Sequence, residues 1–266
     1  MQAVWFLFSL SSYPAGNGCR YVFLDIGANI GVHTRFLFEP TSYPNNKYRS
    51  VFDDSFPRKR FNRTDVCAFG FEANPAHKTR LQRLQHHYAA MGWRAIFFHE
   101  AVAAEEGMIT FWHVNMLEDL SNNEWGFSAK NWRHGKNASA ENVTATDLAA
   151  WVNKNIHTRN VPAAIMPDDP PPYVLIKMDI EGSEYPVLAS MLVKGALCQV
   201  SRITLETHPG MCHGSWSCTL TKNLTNIVQI VRQVPGCKPL LISLLDDESY
   251  HMDPHPIPAA LPGTTK

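Results

Sequence analysis

The chain contains no C-x-x-C pair, no G-x-G-x-x-G loop, no G-x-x-x-x-G-K-[ST] string and no apolar run of 18 residues. Each absence excludes something. Without an 18-residue apolar run, no helix of this sequence spans a bilayer. Without G-K-[ST] there is no P-loop, and without G-x-G-x-x-G the usual dinucleotide fingerprint is missing. An excess of one charge is lacking too: 24 basic side chains stand against 24 acidic ones. That balance argues against a protein that tracks nucleic-acid phosphates. The local exception is residues 47–63, where six Lys or Arg face two Asp; a solvated surface loop accounts for it more simply than an anionic partner. Repeats and heptads are absent as well.

The six cysteines, Cys19, Cys67, Cys198, Cys212, Cys218 and Cys237, follow no standard metal or redox spacing. His208, Cys212, His213 and Cys218 fall close together, but their spacing fits no usual zinc pair. A Cys212–Cys218 disulfide and free thiols both remain open. Four N-x-[ST] sequons, at Asn62, Asn137, Asn142 and Asn223, exceed the roughly two that chance supplies and hint at a secretory route. The stretch Ala3 to Leu10 is apolar like a short signal segment, yet it has no basic flank and no small-x-small cleavage site. A cytoplasmic and a secretory location both stay open.

What is present is core-forming material: 45% hydrophobic and 11% aromatic residues in 266, enough for a sizeable folded unit. The most informative stretch is Val174-Leu-Ile-Lys-Met-Asp-Ile-Glu-Gly-Ser-Glu-Tyr-Pro-Val-Leu188. An apolar strand runs into Lys177, Asp179, Glu181 and Glu184. Ser183 is placed to cap a helix that Gly195 stops. Acids at a strand end that turns into a helix lie on the carboxyl edge of a parallel sheet, where open α/β folds bind ligands. The same acids also suit a plain solvated helix start, which the helix dipole favours.

A second strand, Tyr21 to Asp25, runs into Asp25-x-Gly27-x-Asn29-x-Gly31. Glycine lets the backbone turn tightly and approach a ligand, and a helix opening near Gly31 would aim free N–H groups at it. A third apolar strand ends in Glu72, with Asn74 as N-cap and Pro75 at the first helical position. An acid at the end of the second strand of a βαβ unit can accept hydrogen bonds from ribose hydroxyls. Residues 40–64 form an insertion, so Glu72 comes later than in dinucleotide-binding enzymes.

Further strands are expected near 94–99, 107–113, 200–206 and 239–245, and helices near 31–38, 75–91, 146–155, 183–194 and 217–233. The alternation predicts an α/β fold with a doubly wound, mostly parallel sheet. The Glu106-Gly107 turn suggests a hairpin, hence a mixed sheet. Residues 114–142 and 160–172 fit no regular element. We expect one domain over 1–266, with a core at about 20–245 and peripheral 1–19 and 246–266.

Taken in order, LDIGANIGVHT (24–34), FGFEANP (69–75) and VLIKMDIEGSEYPVL (174–188) resemble the FkbM-type family of S-adenosylmethionine-dependent methyltransferases. HEAVA (99–103), VTATDLAAW (143–151) and LETH (205–208) are weaker echoes. The resemblance implies a Rossmann-like sheet of the class I methyltransferase type with helices on both faces. It places S-adenosyl-L-methionine against Asp25, Gly27, Asn29 and Gly31, with Glu72 on the ribose and Glu100 and Ala101 flanking the adenine. It also favours oxygen as the methyl acceptor, on a small molecule or a carbohydrate.

A hydroxyl acceptor needs a base near it. Asp179 and Glu181 are expected to shape the acceptor end, with His208, beside Glu206, as the base. Residues two apart on a strand share a face, so Lys177 pairs with Asp179 and Glu206 with His208. No metal is expected, since Asp179 and Glu206 are lone oxygen ligands on two strands with no further ligand visible. Two other functions compete: a nicotinamide-dependent oxidoreductase, against which the glycine spacing counts, and a non-catalytic binding scaffold of the same fold. Acceptor specificity is expected in residues 40–64, 114–142 and 209–218.

Overall fold

The computed structural model describes residues 13–113, 127–129, 139–208, 219, 224–247, 249–250 and 252–258. Strands form where β-branched and aromatic residues run together: β1 (Tyr21–Ile26), β2 (Val66–Phe71), β3 (Arg94–Phe98), β7 (Tyr173–Met178), β8 (Arg202–Leu205) and β9 (Leu241–Leu244). They build one six-stranded sheet in the order β3-β2-β1-β7-β8-β9, and every pairing in it is parallel. The order reverses between β1 and β7. That switch point is where ligands settle in such sheets.

Both faces of the sheet are covered, which explains why β1 and β2 are buried throughout. Side chains alternate between the two faces. Val22, Leu24 and Ile26 of β1 point into a cluster with Leu148 and Val152 of α4 (Leu148–Val152), Val187 and Leu188 of α5 (Glu184–Val193), and Ile227 of α6 (Leu224–Gln233). Tyr21 and Phe23 point the other way, into α1 (Val32–Phe38), α2 (Tyr48–Ser55) and α3 (Lys78–Ala90). The doubly wound fold predicted from the sequence is present.

The helix ends follow local chemistry. The Asn74 side chain accepts from Ala76 N at 2.9 Å, with Pro75 next. Asp147 caps α4 by accepting from Ala150 N at 3.0 Å. Ser183 sits at the start of α5 but makes no capping bond. Instead the Glu184 carboxylate folds back and accepts from Ile180 N at 2.8 Å. Gly195, at φ 70, stops the helix as expected.

Three expectations are corrected. The hairpin does not make the main sheet mixed: β5 (Gly107–Trp112) pairs antiparallel with β6 (Ala140–Asp147) in a separate sheet of order β4-β6-β5, where β4 is Ala101–Ala103. The insertion at 40–64 is not all loop, since it contains α2. Its cations are not simply solvated: Arg60 is buried and bonds Leu37 O and Asp53, while Arg63 grips both Asp65 and Asp169.

Two disulfides, Cys19–Cys67 and Cys198–Cys237, tie the β1 entry to β2 and the approach to β8 to the turn after α6. Among the described residues no cysteine is free; the Cys212–Cys218 pairing lies outside them, as do the zinc reading there, Trp125, Trp132 and residues 1–12. No described helix is long and apolar enough to cross a membrane. The segment before residue 259 is not peripheral. Asp253 is buried, with its carboxylate bonded to Arg35 and Tyr43 at 2.7 Å each and paired with Arg80. Arg35, itself buried in α1, also donates to the carbonyls of His255 and Pro256.

Candidate active site

The carboxyl ends of β1, β2 and β7 meet at one cavity. Its lining includes Gly27, Asn29, Glu72, Glu100, Ala101, Asp179 and Glu181 from the expected set, together with Lys177, Val102, Phe71, Phe111 and Phe127. Two strand-to-helix turns form its floor, and they touch backbone to backbone. Gly27 has φ 78, and a Cβ there would stand 1.9 Å from the Asp179 carbonyl oxygen. Asp179 N donates to Ile26 O at 3.1 Å. Lys177 Nζ locks the two turns by donating to Gly27 O at 2.7 Å and to Asp179 Oδ2 at 3.3 Å. Glu181 takes φ 53, a left-handed conformation uncommon for a residue with a Cβ, followed by Gly182 at φ 94. Such outliers concentrate at functional turns.

On the other side, Glu72 is fixed by two backbone donors, Asn29 N at 2.6 Å and Asn74 N at 2.7 Å. Asn29 accepts φ 48 to present that N–H, which asparagine tolerates better than most residues. Above Glu72 the small sheet supplies an apolar wall: Phe111 and Phe127 stack with ring centroids 4.9 Å apart, near Ala101 and Val102. Glu100 is held by the Thr146 hydroxyl. The wall was missed in the sequence because, among the described residues, Phe127 is brought to Phe111 by an isolated bridge between Trp112 and Ser128 and not by a named strand.

Two expected cofactor residues are elsewhere. Asp25 is fully buried behind the cavity, where it accepts from Thr34 Oγ1 at 3.0 Å and lies in register with Lys177. Burial pushes its carboxyl up to about 6, although the Lys177 charge and the Thr34 bond pull it down. Gly31, at φ 82, faces Leu81 and Leu84 of α3: a Cβ would meet their methyls at 2.9 and 3.0 Å. Both residues support the turn without lining the cavity.

His208 follows β8 and stands among carboxylates. Its Nδ1 lies 3.0 Å from Glu184, and its Nε2 lies 3.4 Å from Glu206 and 3.7 Å from Glu181. Burial disfavours the charged ring, but the bonds to Glu184 and Glu206 and the charges of Glu184 and Glu181 outweigh it and push His208 up to about 11. Three carboxylates around the ring favour its protonated form, and an imidazolium cannot take a proton, which counts against His208 as the base. Glu181 changes in the opposite sense for this role: burial lifts it to about 7, against the pull of His208. It is poised between acid and base near neutrality. His33, buried at the start of α1, is pushed well below its ordinary value by burial and by Lys177.

The description Methyltransferase FkbM domain matches residues 25–232. Those residues include all three strand ends of the cavity, the acidic turn and His208. No curated protein matches the chain, and no solved structure does. The family match covers more than half of the chain and the fold is the one the family was expected to have, so this protein belongs to the FkbM methyltransferase domain family.

Proposed function

We propose that the chain uses S-adenosyl-L-methionine to methylate a hydroxyl of a small molecule or carbohydrate. The observation that carries this reading is the division of one cavity into three chemistries. An apolar wall of Val102, Phe111 and Phe127 suits a purine, Glu72 suits ribose hydroxyls, and Asp179 and Glu181 suit a cationic sulfur. Glu72 retains acceptor capacity, because each carboxylate oxygen accepts more than one bond. The residues present therefore fit the cofactor. When bound, it supplies an electrophilic methyl group on positively charged sulfur.

The chain's own part is positioning and proton handling. Lys177 holds the glycine turn against the acidic turn, so the two halves of the cavity keep a fixed distance. Asp179, paired with Lys177, stays oriented toward the cavity. Glu181, which lines the cavity where His208 does not and which burial raises toward neutrality, is the group suited to receive the acceptor's hydroxyl proton. His208 holds Glu181 and Glu206 in place as their shared cation. The two disulfides are compatible with an oxidising lumen, and we infer that the protein works in one.

Calorimetric titration with S-adenosylmethionine and S-adenosylhomocysteine tests the reading. Wild type should bind both, and Glu72→Gln, with its fold checked by circular dichroism, should bind at least roughly tenfold more weakly through a lost charge-assisted ribose contact. A folded wild type that binds neither ligand overturns the proposal.

A further inference from the structure

Three side chains from two strand ends converge where the sequence showed only lone ligands. One ligand atom each from Asp179, Glu206 and His208 lies within 4.8 Å of the others. We propose that they form a site for one divalent transition-metal cation of the Mn²⁺ class at the edge of the cavity. Two donors on one ion at about 2.1–2.4 Å stand about 3 Å apart when adjacent and about 4.8 Å apart when opposite, so side-chain rotation that draws the set inward closes it on a cation. Asp179 and Glu206 follow neighbouring parallel strands, β7 and β8. The fold itself therefore fixes their separation.

The histidine is oriented for the task, and a bound cation takes the place of the proton that Nε2 holds in metal-free protein, releasing it to solvent. Glu184 takes Nδ1 at 3.0 Å, which turns Nε2 toward Glu206 at 3.4 Å. Metal-ligating histidines have this arrangement: one ring nitrogen goes to a carboxylate and the other to the metal. A separate observation points the same way. Glu184 is fully buried, and its Oε2 has no hydrogen-bond partner. An unpartnered carboxylate oxygen in the interior is costly, and a divalent cation on the ring beside it brings one more positive charge than the proton it replaces. Lys177 does not serve that need, since its amine bonds Gly27 O and Asp179.

One nitrogen and two carboxylates, with no thiolate, favour Mn²⁺ or a similar ion over the all-oxygen sites of Ca²⁺. Three protein ligands leave positions open. Asp179 lines the cavity, so an open position faces the space where an acceptor oxygen would lie. That last step rests on the methyltransferase reading; cation binding does not.

The test uses the full chain, stripped with chelator and titrated with Mn²⁺ at neutral pH. Free ion is followed by electron paramagnetic resonance, and S-adenosylhomocysteine binding is measured separately. One ion per chain is expected. Affinity should fall about 10- to 100-fold in Glu184→Gln, which touches the ring but not the ion, and at least as far in Glu206→Gln. Glu141→Gln, on β6, should bind like wild type. Absence of Mn²⁺ binding, or binding that survives Glu206→Gln and Glu184→Gln unchanged in folded protein, overturns the metal site whatever the homocysteine ligand does. Cation binding without binding of that ligand would sink the cofactor reading and leave the metal site standing.

Discussion

At the scale of single residues, the buried charges make the sharpest predictions. Asp25 sits at about 6 in the fold against 3.8 for an ordinary aspartate, with burial as the main cause. A carboxyl raised in this way favours the folded state most while it is protonated. Its contribution is complete below about pH 4, declines as pH rises to about 6, and is flat above that. The difference amounts to about 3 kcal/mol. Asp25→Asn should therefore remove this decline, so that urea-unfolding curves of mutant and wild type diverge between pH 4 and 6. Parallel curves would show that Asp25 titrates normally.

His208 and Glu181 can be followed without knowing the acceptor. In metal-free protein, nitrogen-15 spectra should show the His208 ring doubly protonated well above neutrality, consistent with its position at about 11. Glu184→Gln removes one of the charges that hold that proton, and the ring should then titrate at lower pH. The Glu181 carboxyl carbon should titrate near 7. A His208 that titrates between pH 6 and 7 would restore it as a base and overturn the exchange of roles with Glu181.

At the scale of elements, the contact between two turns is the most exposed to mutation. Gly27→Ala sets a methyl 1.9 Å from the Asp179 carbonyl at a backbone φ of 78. Neither backbone can yield cheaply, so the loss of stability should exceed about 3 kcal/mol by denaturant unfolding. Gly195→Ala also has positive φ but meets nothing within 4 Å, so it should cost only about 1 kcal/mol. Similar losses for the two would mean that backbone conformation, not the contact, sets the demand at Gly27.

The elements also show what a sequence can and cannot disclose. Strands β1, β2 and β7 were legible because both faces are buried and their apolar runs are nearly continuous. Strand β6 was not: Glu141, Asn142 and Thr144 alternate with buried Val143 and Ala145 in a pattern that reads as polar loop. Helix α2 hid for a similar reason, since only one face, Tyr48, Val51, Phe52 and Ser55, is buried. The glycine turn, Glu72 and the acidic turn were visible because their chemistry is local. The state of His208 was not, because it depends on Glu184, 24 residues earlier and on a different element.

At the scale of the whole molecule, the disulfides close loops of 48 and 39 residues in separation. Each should contribute about 4 kcal/mol by constraining the unfolded chain. The Cys198→Ser/Cys237→Ser double variant should lose about that much in urea unfolding, and unreduced peptide mapping should recover both cross-links from protein made in an oxidising lumen. Recovery of free thiols at Cys19 and Cys67 in that protein would count against the inferred compartment.

The buried Arg35 and Asp253 lie 218 residues apart and meet at 2.7 Å, beside the Glu39 carboxylate that grips the same guanidinium from one turn away at 2.8 Å. A ribosome making this chain releases α1 long before Asp253 exists. Until residue 253 emerges, the guanidinium has Glu39 but lacks the second carboxylate and the carbonyls of His255 and Pro256 that complete its bonds in the interior. Completion of the α1 face thus waits on residues some two hundred positions later, and a nascent chain stalled short of Asp253 should expose the Phe36 side of α1 to chaperones and proteases.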